Sequence, residues 1–155
     1  MTPKIYIAGP DVFAPNAAEL SESLKESCKK YGFRGVFPLD IEPGASAEEI
    51  FKANCAKIDD ADYIVANINA FRGHCMDDGT AFEIGYAYTK GKIVYAYTSD
   101  SRSLTERIGS KDENGWNVEN FNKPVNLMIA FAVRKIVIGS FEDCVAALYE
   151  RFGIK

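Results

Sequence analysis

Apolar runs and helical patterns alternate along the chain. Residues 4–8 are an apolar run that stops at Gly9-Pro10 and read as a first strand. Asn16-Ala17-Ala18-Glu19 then has the form of a helix-opening capping box. After it, Leu20, Leu24, Cys28 and Tyr31 recur at spacings of one helix face, and Gly32 closes the helix. Residues 35–38 read as a short second strand. Ser46-Ala47-Glu48-Glu49 opens a helix that runs to about Asp59, and residues 63–68 form a third strand. Thr80-Ala81-Phe82-Glu83 is a third box, with its helix running to about Lys90 and stopped by Gly91. Residues 93–97 are a fourth strand, and a polar stretch fills 98–123. Residues 125–132 look helical, 135–138 are a fifth strand, and Ser140-Phe141-Glu142-Asp143 opens a last helix.

Strict alternation of this kind predicts a parallel sheet covered by helices on both faces. Five strands suit an α/β, flavodoxin-like doubly wound sheet, whose ligands bind beyond the carboxyl ends of the strands. No repeat or linker divides residues 1–155, so a single domain is expected. The segments to inspect are therefore 9–13, 38–42, 67–78 and the stretch from Thr98 onward.

Composition narrows the function. Hydrophobic residues are 47% and charged residues 26%, as in a globular chain that needs no metal or disulfide to hold its core. The net charge of −4 and the lack of any Lys/Arg run argue against nucleic-acid polymers as partners. No apolar stretch approaches a membrane span, and the first residues lack a signal-peptide layout, so a cytoplasmic location is expected. Cys28, Cys55, Cys75 and Cys144 never form C-x-x-C, so free and mostly buried thiols are expected.

The predicted loops lack both G-x-G-x-x-G and G-x-x-x-x-G-K-[ST]. They carry carboxylates instead: Asp11, Asp40, Glu42, Asp77, Asp78 and Glu83. Acidic loops repel phosphate and suit a neutral sugar or base. The densest group, Asp77-Asp78-Gly79-Thr80-Ala81-Phe82-Glu83, lies at a helix start. Converging carboxylates are what glycosidic-bond chemistry needs, one for the anomeric carbon and one for the proton of the leaving group. A helix N-terminus would favour the ionised form of a nucleophile. The bland alternative is that Thr80 and Glu83 merely cap the helix. Loss of a cap costs about 1 kcal/mol of stability, whereas loss of a nucleophile abolishes turnover and spares the fold.

Four segments together resemble the nucleoside 2-deoxyribosyltransferase family. They are Lys4-Ile5-Tyr6-Ile7-Ala8-Gly9-Pro10-Asp11-Val12-Phe13, Phe37-Pro38-Leu39-Asp40, Asp77-x-Gly79-Thr80-x-x-Glu83-x-Gly85-Tyr86-Ala87, and Lys123-Pro124-Val125-Asn126-Leu127-Met128. The resemblance implies ping-pong transfer of 2-deoxyribose between nucleobases, with no metal or organic cofactor. Glu83 would be the nucleophile, Tyr6 would hold it by a hydrogen bond, and Asp77 would bind the base and move its proton. Asn126 and Met128 would reach into a neighbouring subunit of a homo-oligomer, dimer to hexamer, with shared active sites. Where the family often has an Asp before the third strand, this chain has Asn54, which can hydrogen-bond but cannot act as a base. Phe71-Arg72-Gly73 and Val118-Glu119-Asn120-Phe121 look more like the purine-favouring branch.

Further candidates each have a plain reading beside the functional one. Gly9, Asp11 and Phe13 lie in the first strand's loop, where Phe13 could stack on a base or pack. Asp40 could contact substrate or make a turn, and Asp78 could bind substrate or simply be exposed. Tyr6 could be core. His74 reads as an exposed loop residue, Cys75 as inert, Trp116 as a lid or subunit contact, and Tyr86 and Tyr88 as packing. Two other functions remain open: a deoxyribonucleoside 5′-monophosphate N-glycosidase, which Asp11 disfavours by repelling phosphate, and a non-catalytic nucleoside-binding protein.

Overall fold

The structure is a computed structural model that describes residues 1–153. Its described elements run, in chain order, β1 (Lys4–Ala8), α1 (Ala17–Lys30), β2 (Arg34–Val36), α2 (Ala47–Asp60), β3 (Tyr63–Asn67), α3 (Asp78–Thr89), β4 (Ile93–Thr98), α4 (Leu104–Ile108), α5 (Leu127–Ala132), β5 (Lys135–Ile138) and α6 (Phe141–Phe152). A 3₁₀ turn, Pro10–Phe13, follows β1. The sheet order is β2-β1-β3-β4-β5. All four pairings are parallel. This is the flavodoxin-like arrangement, with strand order reversing between β1 and β3.

Alternation along β1 divides the core. Ile5 and Ile7 join Leu24 and Cys28 of α1 and Cys144, Val145 and Leu148 of α6 on one face. Tyr6 and Ala8 join Ile58 of α2, Ile84 and Ala87 of α3 and Val125 on the other. Tyr6 is fully buried yet polar at its tip, so its hydroxyl needs a partner from the α2/α3 layer. Beyond it in register, Ala8, Ala66 and Ala96 form a row of small side chains across three strands.

Several boundaries depart from the sequence pattern. β2 ends at Val36 because the Phe37 N–H turns to the Asp40 carboxylate at 2.9 Å and Pro38 has no N–H for a ladder. The box at Ser46 forms, as does the one at Ser140. Asn16 makes no side-chain cap bond. The third box is not Thr80–Glu83: Asp77 is the N-cap, and its side chain accepts from the Thr80 N–H. The polar stretch contains α4, capped by Ser103 and Glu106, and too short at five residues to show a period. The helix expected over 125–132 begins at Leu127, with Asn126 as its N-cap accepting from the Met128 N–H. Of the cysteines, all free, only Cys28 and Cys144 are buried. Tyr88 does not pack: it is 61% exposed.

Candidate active site

The site is built around Tyr6. From the centre of β1 its hydroxyl donates to Glu83 Oε1 at 2.8 Å. Glu83 is in the second turn of α3, where Thr80, Ile84 and Ala87 are the buried positions, so its carboxylate meets the sheet. Burial pushes Glu83 up to about 7 against the pull of the Tyr6 hydrogen bond; the charge of Asp77 adds to the rise and that of Lys57 opposes it. The field of the helix N-terminus does not hold this group in the ordinary carboxylate range. Glu83 lies beyond the first turn, where that field fades, and loss of water dominates. Burial and the neighbouring Glu83 charge push the Tyr6 hydroxyl strongly upward, so it stays a neutral donor.

Asp77 is 7% exposed. Its Oδ2 accepts from the Thr80 N–H at 2.8 Å and the Thr80 hydroxyl at 2.7 Å. A side chain at Gly79 would place its Cβ 3.3 Å from that oxygen, so the glycine keeps the turn open. Asp78 is exposed at the start of α3.

A cleft of about 250 Å³ opens on Glu83 between α2 and α3. Phe51 and Phe82, both about half exposed, form one wall with ring centroids 5.6 Å apart. Ile58, Asn54, Cys55 and Gly79 complete it. Lys57 stands beside Asn54, with its ammonium donating to Pro38 O at 2.6 Å and to Asn54 Oδ1 at 3.3 Å. Nothing in the sequence pattern marks Phe51, Phe82, Cys55 or Lys57 as cleft residues. Only the exposure of two phenylalanines on facing helices distinguishes them, and that needs the fold.

The other expected residues lie apart from the cleft. Asp11 Oδ2 accepts from Asn67 Nδ2 at 3.1 Å, and a Cβ on Gly9 would meet that same oxygen at 2.3 Å. Phe13 stacks on Phe71 of its own chain at 5.7 Å. The Arg72 guanidinium is 4.9 Å from the Phe13 ring and 4.6 Å from that of Phe71. Asp40 makes the turn already described and pairs with Lys25 at 2.7 Å. Asn126 is exposed, and its Nδ2 donates to Glu119 while its Oδ1 accepts from the Met128 N–H. Met128 is 72% exposed and, with Tyr88, Leu127 and Phe131, lines a separate apolar groove of about 520 Å³. Among the described residues no three His, Cys, Asp or Glu side chains group as a metal site, and no helix is long and apolar enough to cross a membrane.

The sequence profile of the nucleoside 2-deoxyribosyltransferase family matches residues 5–128, from the strand bearing Tyr6 through Met128. The chain belongs to this family. A solved 2-deoxyribosyltransferase from Leishmania mexicana superposes with a TM-score of 0.87 at 35% identity, covering 96% of this chain and 98% of that one. An uncharacterized protein of Schizosaccharomyces pombe, C191.05c, is 37% identical over an alignment of 123 residues that covers 74% of this chain and 58% of that protein. The chain thus spans little more than half the length of the yeast relative. A Clostridium botulinum CMP N-glycosidase, BcmB, shares the fold at TM-score 0.57 and 14% identity. In this nucleoside 2-deoxyribosyltransferase family member, Asp77 is the N-cap of α3 and Glu83 stands in the second turn of that helix, tied to a buried tyrosine.

Proposed function

We propose that the protein transfers 2-deoxyribose between nucleobases, with a leaning toward purines, by a ping-pong reaction through a covalent deoxyribosyl-Glu83. One observation carries this reading. Glu83 caps nothing: it is held by Tyr6 at 2.8 Å on the wall of a cleft with aromatic sides.

In the first half-reaction a Glu83 carboxylate oxygen attacks the anomeric carbon. A C–O ester bond forms, the C–N bond breaks, and its electron pair leaves with the base. Asp77, whose Oδ2 is anchored on Thr80, meets the base through Oδ1 and manages the proton the base takes up. In the second half the nitrogen of another base attacks the same carbon and passes its proton to Asp77, the ester breaks and Glu83 regains its carboxylate. Two displacements give net retention. The intermediate must be kept from water. The exposed Asn126 at the start of α5 and the exposed Met128, which lines an apolar groove, support a shared site in which a neighbouring copy in a cytoplasmic homo-oligomer closes the cleft; a fully active monomer would sink that part.

The test supplies deoxyinosine and adenine to the parent and to Glu83→Ala and separates the products by chromatography. New deoxyadenosine from the parent alone, with the variant folded, is the expected result. Free base and deoxyribose without deoxyadenosine would make the protein a hydrolase. No reaction with any donor, while nucleoside still binds, would make it a binding protein.

A further inference from the structure

Asn54 and Lys57 are three residues apart on α2 and so share a face. The Lys57 ammonium is seated by the Pro38 carbonyl at 2.6 Å and reaches Asn54 Oδ1 at 3.3 Å. An ammonium can only donate, so the atom of the amide that faces it must be the oxygen. Turning the amide over would set its NH2 against a cation. The oxygen is thereby directed to Lys57, and Nδ2 has no protein partner among the described residues, although Asn54 walls the same cleft as Glu83.

We propose that Lys57 is a positioning residue that locks Asn54 with its NH2 toward the cleft, and that this makes 6-oxopurines the preferred bases. The inference rests on the transferase reading and names its substrate class. An unrestrained Asn pairs with a 6-aminopurine by accepting from the exocyclic amine and donating to N7. With its oxygen held by Lys57, Asn54 offers donors. A 6-oxopurine presents two adjacent acceptors, O6 and N7, to such a group, whereas a 6-aminopurine presents a donor where a second acceptor is needed. A carboxylate at this position would accept only, and would reverse the preference.

The test lets hypoxanthine and adenine compete for one donor, deoxyguanosine, and reads the ratio of deoxyinosine to deoxyadenosine. Both products arise from the same intermediate, so any effect of Lys57 on the Glu83 charge cancels from the ratio. The parent should favour deoxyinosine by about tenfold, the worth of one well-placed hydrogen bond. Lys57→Met should bring the ratio close to one, Lys57→Arg should keep a preference, and Asn54→Asp should invert it. A parent ratio near one, or a Lys57→Met variant that loses both products equally, would overturn the proposal. Absence of both products would refute the transferase reading instead. Calorimetric titration of the parent and Lys57→Met with each free base then decides the proposal: the same change in preference supports it, and equal or absent binding of the two bases overturns it.

Discussion

The position of Glu83 links stability to pH in a direction that a helix cap would not produce. Its carboxyl is raised from 4.5 to about 7, mainly by loss of water. A raised carboxyl stabilises the fold fully below its unfolded value and loses that contribution as pH climbs through the folded value. The interval from 4.5 to about 7 corresponds to about 3 kcal/mol. Water in the open cleft screens part of this, leaving an expected loss of about 2 kcal/mol between pH 4.5 and pH 8.5. Glu83→Gln keeps an acceptor for the Tyr6 hydroxyl and cannot ionise. Urea unfolding of parent and variant at equal protein concentration, at both pH values, isolates the effect as a difference of differences. The variant should gain about 2 kcal/mol on the parent from the acid to the alkaline condition while losing transfer altogether. A stability difference that is flat in pH, or that falls as pH rises, would refute the account of Glu83 as a desolvated, reactive carboxylate.

Other substitutions separate the remaining roles. Tyr6→Phe removes the hydrogen bond that pulls Glu83 down, so the acid limb of the pH–rate profile should move to higher pH, with folding weakened by about 1 kcal/mol; a profile that stays in place would exclude direct control of Glu83 by Tyr6. Asp77→Asn should melt like the parent, since Asn caps a helix as well as Asp does, yet exchange bases slowly. Asp77→Ala should in addition lose about 1–2 kcal/mol. Equal transfer by the parent and Asp77→Asn would remove Asp77 from proton handling. Gly9→Ala would bring a Cβ within 2.3 Å of Asp11 Oδ2 and 2.8 Å of Asn67 Cβ. It should cost about 1–3 kcal/mol in urea unfolding, and an unchanged midpoint would show that the β1 loop yields freely.

The fold was legible because its strands are short apolar runs, α1, α2 and α6 are amphipathic, and α3 is bounded by the polar Asp77-Asp78 start and the Gly91 stop. α4 was hidden because five residues do not complete two helical turns. The site was legible only in its family motif. Capping chemistry obscured the rest: Thr80 and Glu83 have the spacing of a box, but Asp77 is already in the N-cap role and holds Thr80 through both its N–H and its hydroxyl. Phe51, Phe82 and Lys57 sit on helix faces whose partners are set by sheet order, and the spacing of one helix does not state what faces it. In the β1 loop, the place of Gly9, Asp11 and Phe13 after the first strand marks them in the sequence, but the partners they meet, Asn67 for Asp11 and Phe71 for Phe13, are set by the fold.

The six-residue interval from Asp77 to Glu83 has a mechanical reason. An N-cap residue stands outside the helix with an extended backbone, and its side chain folds back onto the N–H three residues on. That places Asp77 at the helix mouth and makes Thr80 the anchor of its Oδ2. Three residues beyond Thr80 the helix returns to the same face one turn deeper, where Tyr6 waits at the centre of β1. A carboxylate at 80 would displace the anchor of Asp77, and one at 82 would join the exposed face that Phe82 occupies. The pairing of a mouth carboxylate that can meet a base with a deeper, desolvated one that can meet a sugar therefore follows from helix geometry once Asp77 is the cap. Lys57 acts from the opposite wall, where its charge tempers the rise of Glu83 and its ammonium engages the Asn54 amide. Under the proposed reaction the two helices would divide the work: α3 would carry the bond-making and proton-moving groups, while α2 would supply the groups that choose the base.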